Sequence, residues 1–421
     1  MQPEPTLVLP TNPQKEKIFT FVFVNLIVAD SIIRISLYML VALVPLYVLD
    51  RGFSPAVAGL TTTVFMLMSV LVRPASGKLA DTRGRYIMII LGSAVYCLAT
   101  GLFLFAMPAW LLLGARALQG LGLCFYGTAT LTMATDIIPE RRMSEGIGYL
   151  GLAQTVAQAV GPALALAVKN AYGYQVAFMA VFAVAAVNFL TRFSLKSVDQ
   201  RHMPIRAGHG VYEHQGAQPH EVSRSSETLK KRSIWTNVID QEAWKPSLIM
   251  FLIMFATTSI GTFLVAHATR SGIHNPGAFF TVAAVMMAVA RLTVGKIHQR
   301  FGTAGVIAPG IAFICISLIG IYSSSASLPI LLIAAAFYGL GLGVVQPEIN
   351  SLAVLAAKKE NRGLANSTFF VALDLSQAIA ATVLGAIAGM TGLGSIFGIS
   401  AGIAALTLLA YLVLRKRGFV Q

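Results

Sequence analysis

The sequence predicts an all-α membrane protein with twelve transmembrane helices in two pseudo-symmetric six-helix bundles. Three observations carry that expectation. The 421 residues are 56% hydrophobic and only 11% charged, against roughly a quarter charged in a soluble domain. Twelve apolar runs approach or exceed the ~20 residues that a spanning helix needs: 18–48, 54–76, 86–106, 109–135, 146–168, 172–195, 246–268, 276–295, 303–323, 328–355, 364–388 and 393–414. The chain also repeats itself. "RPASGKLADTRGR" at 73–85 returns in worn form as "RLTVGKIHQRFG" at 291–302, so Arg73, Gly77, Lys78 and Gly84 meet Arg291, Gly295, Lys296 and Gly302 at a constant offset of 218. "QGLGL" at 119–123 returns as "YGLGL" at 338–342, which puts the fourth and tenth spans in matching places.

The elements follow in order. Residues 1–17 are a polar, Pro-rich cytoplasmic tail ending in Lys15 and Lys17. The run behind them is about twice the length of a signal-peptide core and reads as an uncleaved membrane helix. Residues 18–195 form the first bundle and 246–414 the second. Gly and Pro inside several runs are tolerated in membrane helices. Between the bundles, 196–245 is polar, carries charges of both signs and holds His202, His209, His214 and His220. Their irregular spacing, with no Cys nearby, reads as a solvated cytoplasmic linker rather than a metal site. "SIWTNVIDQEAWKP" at its end suits a short interfacial helix. Residues 415–421 close the chain as a second cytoplasmic tail.

Orientation follows from lysine and arginine. With both termini cytoplasmic, 24 of the 31 lie on the inner side, only Arg51, Lys169 and Arg270 lie outside, and Arg34, Arg73, Arg116 and Arg291 fall within spans. This bias accounts for most of the net charge of +14 without a nucleic-acid partner. Cys97, Cys124 and Cys315 sit inside apolar runs as small packing residues. There is no nucleotide loop: Gly339, Gly341 and Gly343 lie in an apolar run with no strand before them and suit close helix packing. There is no metal-ligand cluster and no nucleophile–base arrangement. The expectation is therefore a chain that is not an enzyme, with no catalytic residue, metal ligand or cofactor.

Ionisable groups in the bilayer are costly and rare without a purpose. Asp30 and Arg34 are four residues apart, so they share a helix face and can pair. The pair is either a self-neutralising ion pair or a carboxylate that titrates while Arg34 tunes it. Arg116 needs a carboxylate, a backbone carbonyl or water, with Asp30 the nearest plausible acid; the other reading is snorkelling to the outer interface. Glu348 follows Pro347, whose kink suits a cavity wall. It can hold a proton, meet a cationic group or make a buried hydrogen bond. Asp374 reads as a structural hydrogen bond at a helix contact. Met66, Met68, Met286 and Met287 can line an adaptable pocket, or simply pack.

Taken together, these residues resemble the major facilitator superfamily over nearly the whole chain outside 1–15 and 196–245. "GKLADTRGR" resembles its signature between the second and third spans through Gly77, Asp81, Gly84 and Arg85. The resemblance implies a charge cluster with Asp136 that latches the outward-open state. Gln299 stands where Asp81 would recur, so a weaker second latch is implied. "RALQG", with Arg116, Gln119 and Gly120, resembles the fourth-span motif whose arginine serves proton coupling. "GYLGLAQTVAQAVGP" resembles the fifth-span signature of proton-driven exporters. Gly148, Gly161 and Pro162 fit, while Ala157 and Ala165 replace glycines. "FFVALDLSQAIA" is similar to the eleventh span of bacterial efflux members, some of which export drugs and others metallophores or siderophores.

The resemblance implies the major facilitator fold and a secondary transporter, expected to be a proton-coupled exporter of small amphipathic molecules working by alternating access. Its partners would be a small-molecule substrate, protons and the lipid bilayer, with no nucleic acid. It would act as a monomer in a bacterial inner membrane. Proton coupling and the substrate cavity would involve Asp30, Arg34, Arg116, Gln119, Glu348 and Asp374. The alternatives are an uptake symporter for a sugar, organic acid or amino-acid-like solute, or a membrane sensor or scaffold using the linker.

Overall fold

The computed structural model describes residues 19–105, 108–138, 142–192, 240–324, 327–357 and 362–416. The tails, residues 196–239 of the expected linker with its four histidines, and the start of the expected interfacial helix lie outside them. The described regular elements are all helical. They are α1 (Phe21–Asp50), α2 (Pro55–Arg83), α3 (Arg85–Gly101) and α4 (Ala109–Ile137). Gly173, at φ 82°, interrupts the stretch Met143–Thr191 and divides it into α5 (143–172) and α6 (174–191). Next comes α7 (Trp244–Arg270). Gly302, at φ 67°, likewise divides Ala278–Tyr322 into α8 (278–301) and α9 (303–322). The last three are α10 (Leu328–Ala356), α11 (Arg362–Thr391) and α12 (Ser395–Lys416).

Eleven described segments are long and apolar enough to cross a membrane. One of them, Tyr149–Thr191, runs for 43 residues. Unbroken it would reach about 65 Å, twice the ~30 Å hydrocarbon core. The reversal at Gly173 makes it two spans, so the twelve helices match the twelve predicted runs. Helix starts carry familiar signals. Thr20 accepts a hydrogen bond from the Phe23 amide at 3.3 Å, and Pro55 follows the N-cap Ser54. Asp240 Oδ1 accepts from the amides of Glu242 and Ala243 at 2.9 and 3.0 Å, anchoring the entry to α7. We call the face where α1 starts proximal and the opposite face distal; the charge bias predicts that the proximal face is cytoplasmic.

The repeat seen in the sequence is present in the backbone. Among the described residues, the six glycines at positive φ fall into pairs: Gly52 with Gly272, Gly84 with Gly302, and Gly173 with Gly392. Each pair marks the same turn in the two bundles, where a side chain at positive φ would be strained. The "GLG" motifs work the same way twice. A Cβ on Gly120 of α4 would lie 2.2 Å from the Phe65 carbonyl oxygen of α2, and one on Gly339 of α10 would lie 2.1 Å from that of Ala283 of α8. Two residues on, Gly122 meets α3 at Tyr96 and Gly92, while Gly341 meets α9 at Gly310 and Ile314. Residues two apart project from opposed sides of a helix, so each motif lets one helix wedge between two neighbours.

Outside the bundles, large apolar side chains stand bare: Leu98 is 73% exposed, Leu292 74% and Met390 88%. Inside are Asp30, Arg116, Gln119 and Arg192, all buried. Apolar side chains outside and polar groups inside is the arrangement that a lipid solvent demands.

Gly120→Leu is expected to destabilise the fold by about 3 kcal/mol or more, because a side chain there meets backbone that cannot yield. Gly114→Leu, with nothing within 4 Å of its Cβ position, should leave the thermal melting of the purified protein within a few degrees of wild type.

Candidate translocation site

On α1, Arg34 Nε donates to Asp30 Oδ2 at 2.6 Å, as the four-residue spacing predicts. The Asp30 side chain is almost wholly buried, whereas that of Arg34 is 27% exposed. Behind Asp30 lies a polar knot. Asn188 of α6 donates from Nδ2 to the Ala29 carbonyl at 2.5 Å. Arg192, fully buried at the end of α6, holds its guanidinium 5.4 Å from the Tyr126 ring centre. None of its side-chain nitrogens has a partner at hydrogen-bonding geometry. The charge count over the sequence placed Arg192 among the cytoplasmic residues; the structure buries it at the end of α6. The available signal was its place within the sixth predicted run.

Arg116 does not meet Asp30, and it does not snorkel: it is 1% exposed. It lies about 10 Å from the distal end of α4, and Asp30 about 14 Å from the proximal end of α1, so the two groups sit at different depths. Arg116 Nη1 instead donates to Gln119 Oε1 at 2.9 Å, and Nε to the Thr61 carbonyl at 3.3 Å. Its guanidinium packs 4.5 Å from the Phe65 ring centre. Gln119 passes the network to Thr100 Oγ1 at 3.1 Å. This network ties α4 to α2 and α3 inside the first bundle.

The bundles meet along two seams, α2 with α11 and α5 with α8, with α1 also packed on α7 between them, and the repeat relates the seams. Distally, a Cβ on Gly59 would lie 1.9 Å from the Ala381 carbonyl oxygen, and one on Gly277 would lie 3.1 Å from Ala163 Cα. Gly277 is the repeat mate of Gly59, and Ala381 of Ala163. Thr63 and Thr382 share a hydrogen bond of 2.7 Å across the first seam. Deeper, Arg73 pairs with Asp374. At the matching depth of the second seam, Arg291 Nη1 donates to the Gly151 carbonyl at 2.9 Å and to Thr155 Oγ1 at 2.7 Å. Asp374 thus makes its bond at a helix contact between the bundles. Its partner across the bundles, Arg73, was missed, although the offset that pairs Arg73 with Arg291 pointed to equivalent places. Tyr38 of α1 joins this region: Gln154 Nε2 donates to its hydroxyl at 3.3 Å.

The sequence model of the Major Facilitator Superfamily matches residues 26–322 and 247–419, which together span nearly all of the chain. The chain belongs to the Major Facilitator Superfamily. It is 26% identical over 397 residues to an MFS-type transporter of Burkholderia mallei, covering 92% of this chain and 90% of that one. It is 24% identical over 336 residues to a multi-drug resistance efflux pump PmrA homolog of Lactococcus lactis, covering 77% and 78%. Among solved structures, the nucleoside transporter NupG superposes with a TM-score of 0.70 at 13% identity, covering 94% of this chain and all of the other. A POT family transporter superposes with a TM-score of 0.73 at 13% identity, covering 94% and 96%. These structural likenesses show the fold. This superfamily member is a multi-pass membrane transporter, not an enzyme.

Two other groups of residues take their places in the superfamily fold. Arg85, at the start of α3, forms an ion pair with Asp136 at the end of α4. Gly84, at φ 94°, makes the turn between α2 and α3. Gly77 has open space around its Cβ position. Asp81 belongs to the last turn of α2, and its side chain lies outside the described residues. In the fifth-span signature, Gly148 and Pro162 lie on α5. Gly161 of that signature meets Tyr38 and Met39 of α1, a contact within the first bundle. Across the seam α5 packs on α8, not on its repeat counterpart α11, because the two-fold relation of the bundles sets each α2-type helix against an α5-type helix. Glu348 lies in the proximal third of α10, where His298 Nδ1 is 2.9 Å from its Oε2.

A double-mutant cycle tests the Arg73–Asp374 bond. Arg73→Gln and Asp374→Asn each strand a partly buried charge, and each should cost about 2 kcal/mol. The double variant should cost less than the two single losses combined, by about 1–2 kcal/mol, read from thermal unfolding in detergent.

Proposed function

We propose that the chain is a proton-coupled exporter of small amphipathic molecules, drugs or metallophores and siderophores among them, working by alternating access. It acts as a monomer in the cell inner membrane with both termini cytoplasmic, uses no cofactor, and takes its energy from the proton gradient. One observation carries this reading: a buried Asp30 bonded at 2.6 Å to an Arg34 that is itself partly exposed. A proton on Asp30 removes its charge and weakens the bond. Arg34 is then released toward the interface between the bundles, so protonation changes the charge offered to cargo. Export is supported by the likeness to the Lactococcus efflux pump and by Gly161 and Pro162 of the partial exporter signature. The Arg85–Asp136 pair fits a latch whose breaking accompanies the change of state.

Asp30→Asn should abolish transport driven by a pH difference in proteoliposomes, at least tenfold, while leaving the protein monodisperse and folded, with a melting temperature lowered by a few degrees because Arg34 loses its partner. Unchanged coupling removes Asp30 from the mechanism. Arg85→Ala should lower turnover several-fold with little change in substrate affinity; a loss confined to affinity contradicts the latch role. Comparing the metabolites of cells and medium with and without the gene reads direction, and accumulation inside gene-bearing cells would overturn export.

A further inference from the structure

The repeat relates the two seams contact by contact until it reaches the charges. Arg291 holds the place of Arg73. The place of Asp374, carried back by the repeat offset of 218–219, falls on residues 155–156, and Thr155 is the group that Arg291 touches. One seam therefore joins a cation to an anion, while the other joins a cation to a hydroxyl and a carbonyl. Among the described residues, no carboxylate reaches Arg291. The other interior charges are accounted for: Asp30 is held by Arg34 and Asp374 by Arg73, Glu348 faces His298, and Arg116 and Arg192 are sealed inside the first bundle. Arg291 is half-buried at the meeting of the bundles. Nη1 makes both of its contacts, so the rest of the guanidinium fork faces no acid. Tyr38 stands near this seam, its hydroxyl accepting from Gln154, the neighbour of Thr155 in the chain.

A guanidinium in this setting is destabilised by lost hydration and is not repaid by neutral acceptors. An incoming anion restores the missing partner, with the bidentate geometry that arginine favours. A cation meets repulsion in a region where field lines are poorly screened. We infer that the cargo is an organic anion: an apolar or aromatic body carrying a carboxylate or a similar acidic group that pairs with Arg291, with Tyr38 beside it. This deepens the proposed function, since it names the cargo class of the same interface, but it does not depend on the direction of transport.

Binding is measured on the full chain in phosphatidylcholine nanodiscs without any gradient, using 4-phenylbutyrate and 1-naphthaleneacetate, their uncharged amides, and tetraphenylphosphonium. The carboxylates should bind at least tenfold tighter than the amides and the cation. Arg291→Gln should remove that preference and Arg291→Lys should keep most of it. Thr155→Asp supplies the acid that the repeat lacks, so it should abolish carboxylate binding while raising the melting temperature, an outcome that misfolding cannot produce. Equal binding of acids and amides, preference for tetraphenylphosphonium, no binding by any carboxylate, or an Arg291→Gln variant that binds carboxylates as wild type does would each overturn the assignment. If nanodiscs containing phosphatidylglycerol abolish carboxylate binding, a lipid headgroup is the occupant and the cargo assignment falls. Proton coupling is read separately from Asp30→Asn, so the two readings can fail independently.

Discussion

Lipid offers a polar group no hydrogen bond, so two helical bundles in a membrane can join only where their backbones approach closely and their polar atoms satisfy one another. In this chain that happens along α2 with α11 and α5 with α8. Gly59 against Ala381 and Gly277 against Ala163 draw the helices together at the distal face. The arginines, Arg73 and Arg291, reach across nearer the proximal face. Small residues at one end and long, polar, breakable contacts at the other give each seam a tight end and a looser one. A rocking transporter needs that asymmetry if the bundles are to part on one side while staying joined on the other.

The seams share a backbone plan but not a charge plan. Duplication carried the glycines across almost unchanged, since a Cβ in those positions would collide with main chain. It did not carry the acid across. Asp374 neutralises Arg73, whereas Thr155 leaves the charge of Arg291 uncompensated. In the first bundle, Asp30 and Arg34 are the counterpart of this imbalance, a pair that one proton can unbalance. Arg291 thus stands at the meeting of the bundles without an acid, whereas Arg116 is held in a hydrogen-bonded network inside one bundle.

Much of this was legible from residues alone. The apolar runs fixed the number of spans, and the "GLG" pair located the fourth and tenth helices because only glycine permits backbone contact on two sides of a helix. Asp30 and Arg34 met because four residues is one helical turn. Arg116 finds a backbone carbonyl, one of the partners its burial called for, but not Asp30, because depth along the membrane normal decides which charges can meet. The neighbour of Glu348, His298, comes from another helix, and no pattern within one helix records that contact. Arg192 was counted among the inner-side charges because a basic residue near the inner end of a run reads as cytoplasmic until its burial is known.

What the sequence by itself determined, then, is everything set by local geometry and solvent: spans, turns at positive φ, the duplication and the one-turn ion pair. What only the tertiary structure decided is which groups face each other across the seams. Side chains brought together from 136 or 301 residues apart in the chain owe their meeting to how two bundles rotate against each other, and that rotation is fixed by the summed packing of many helix surfaces rather than by any one stretch of residues.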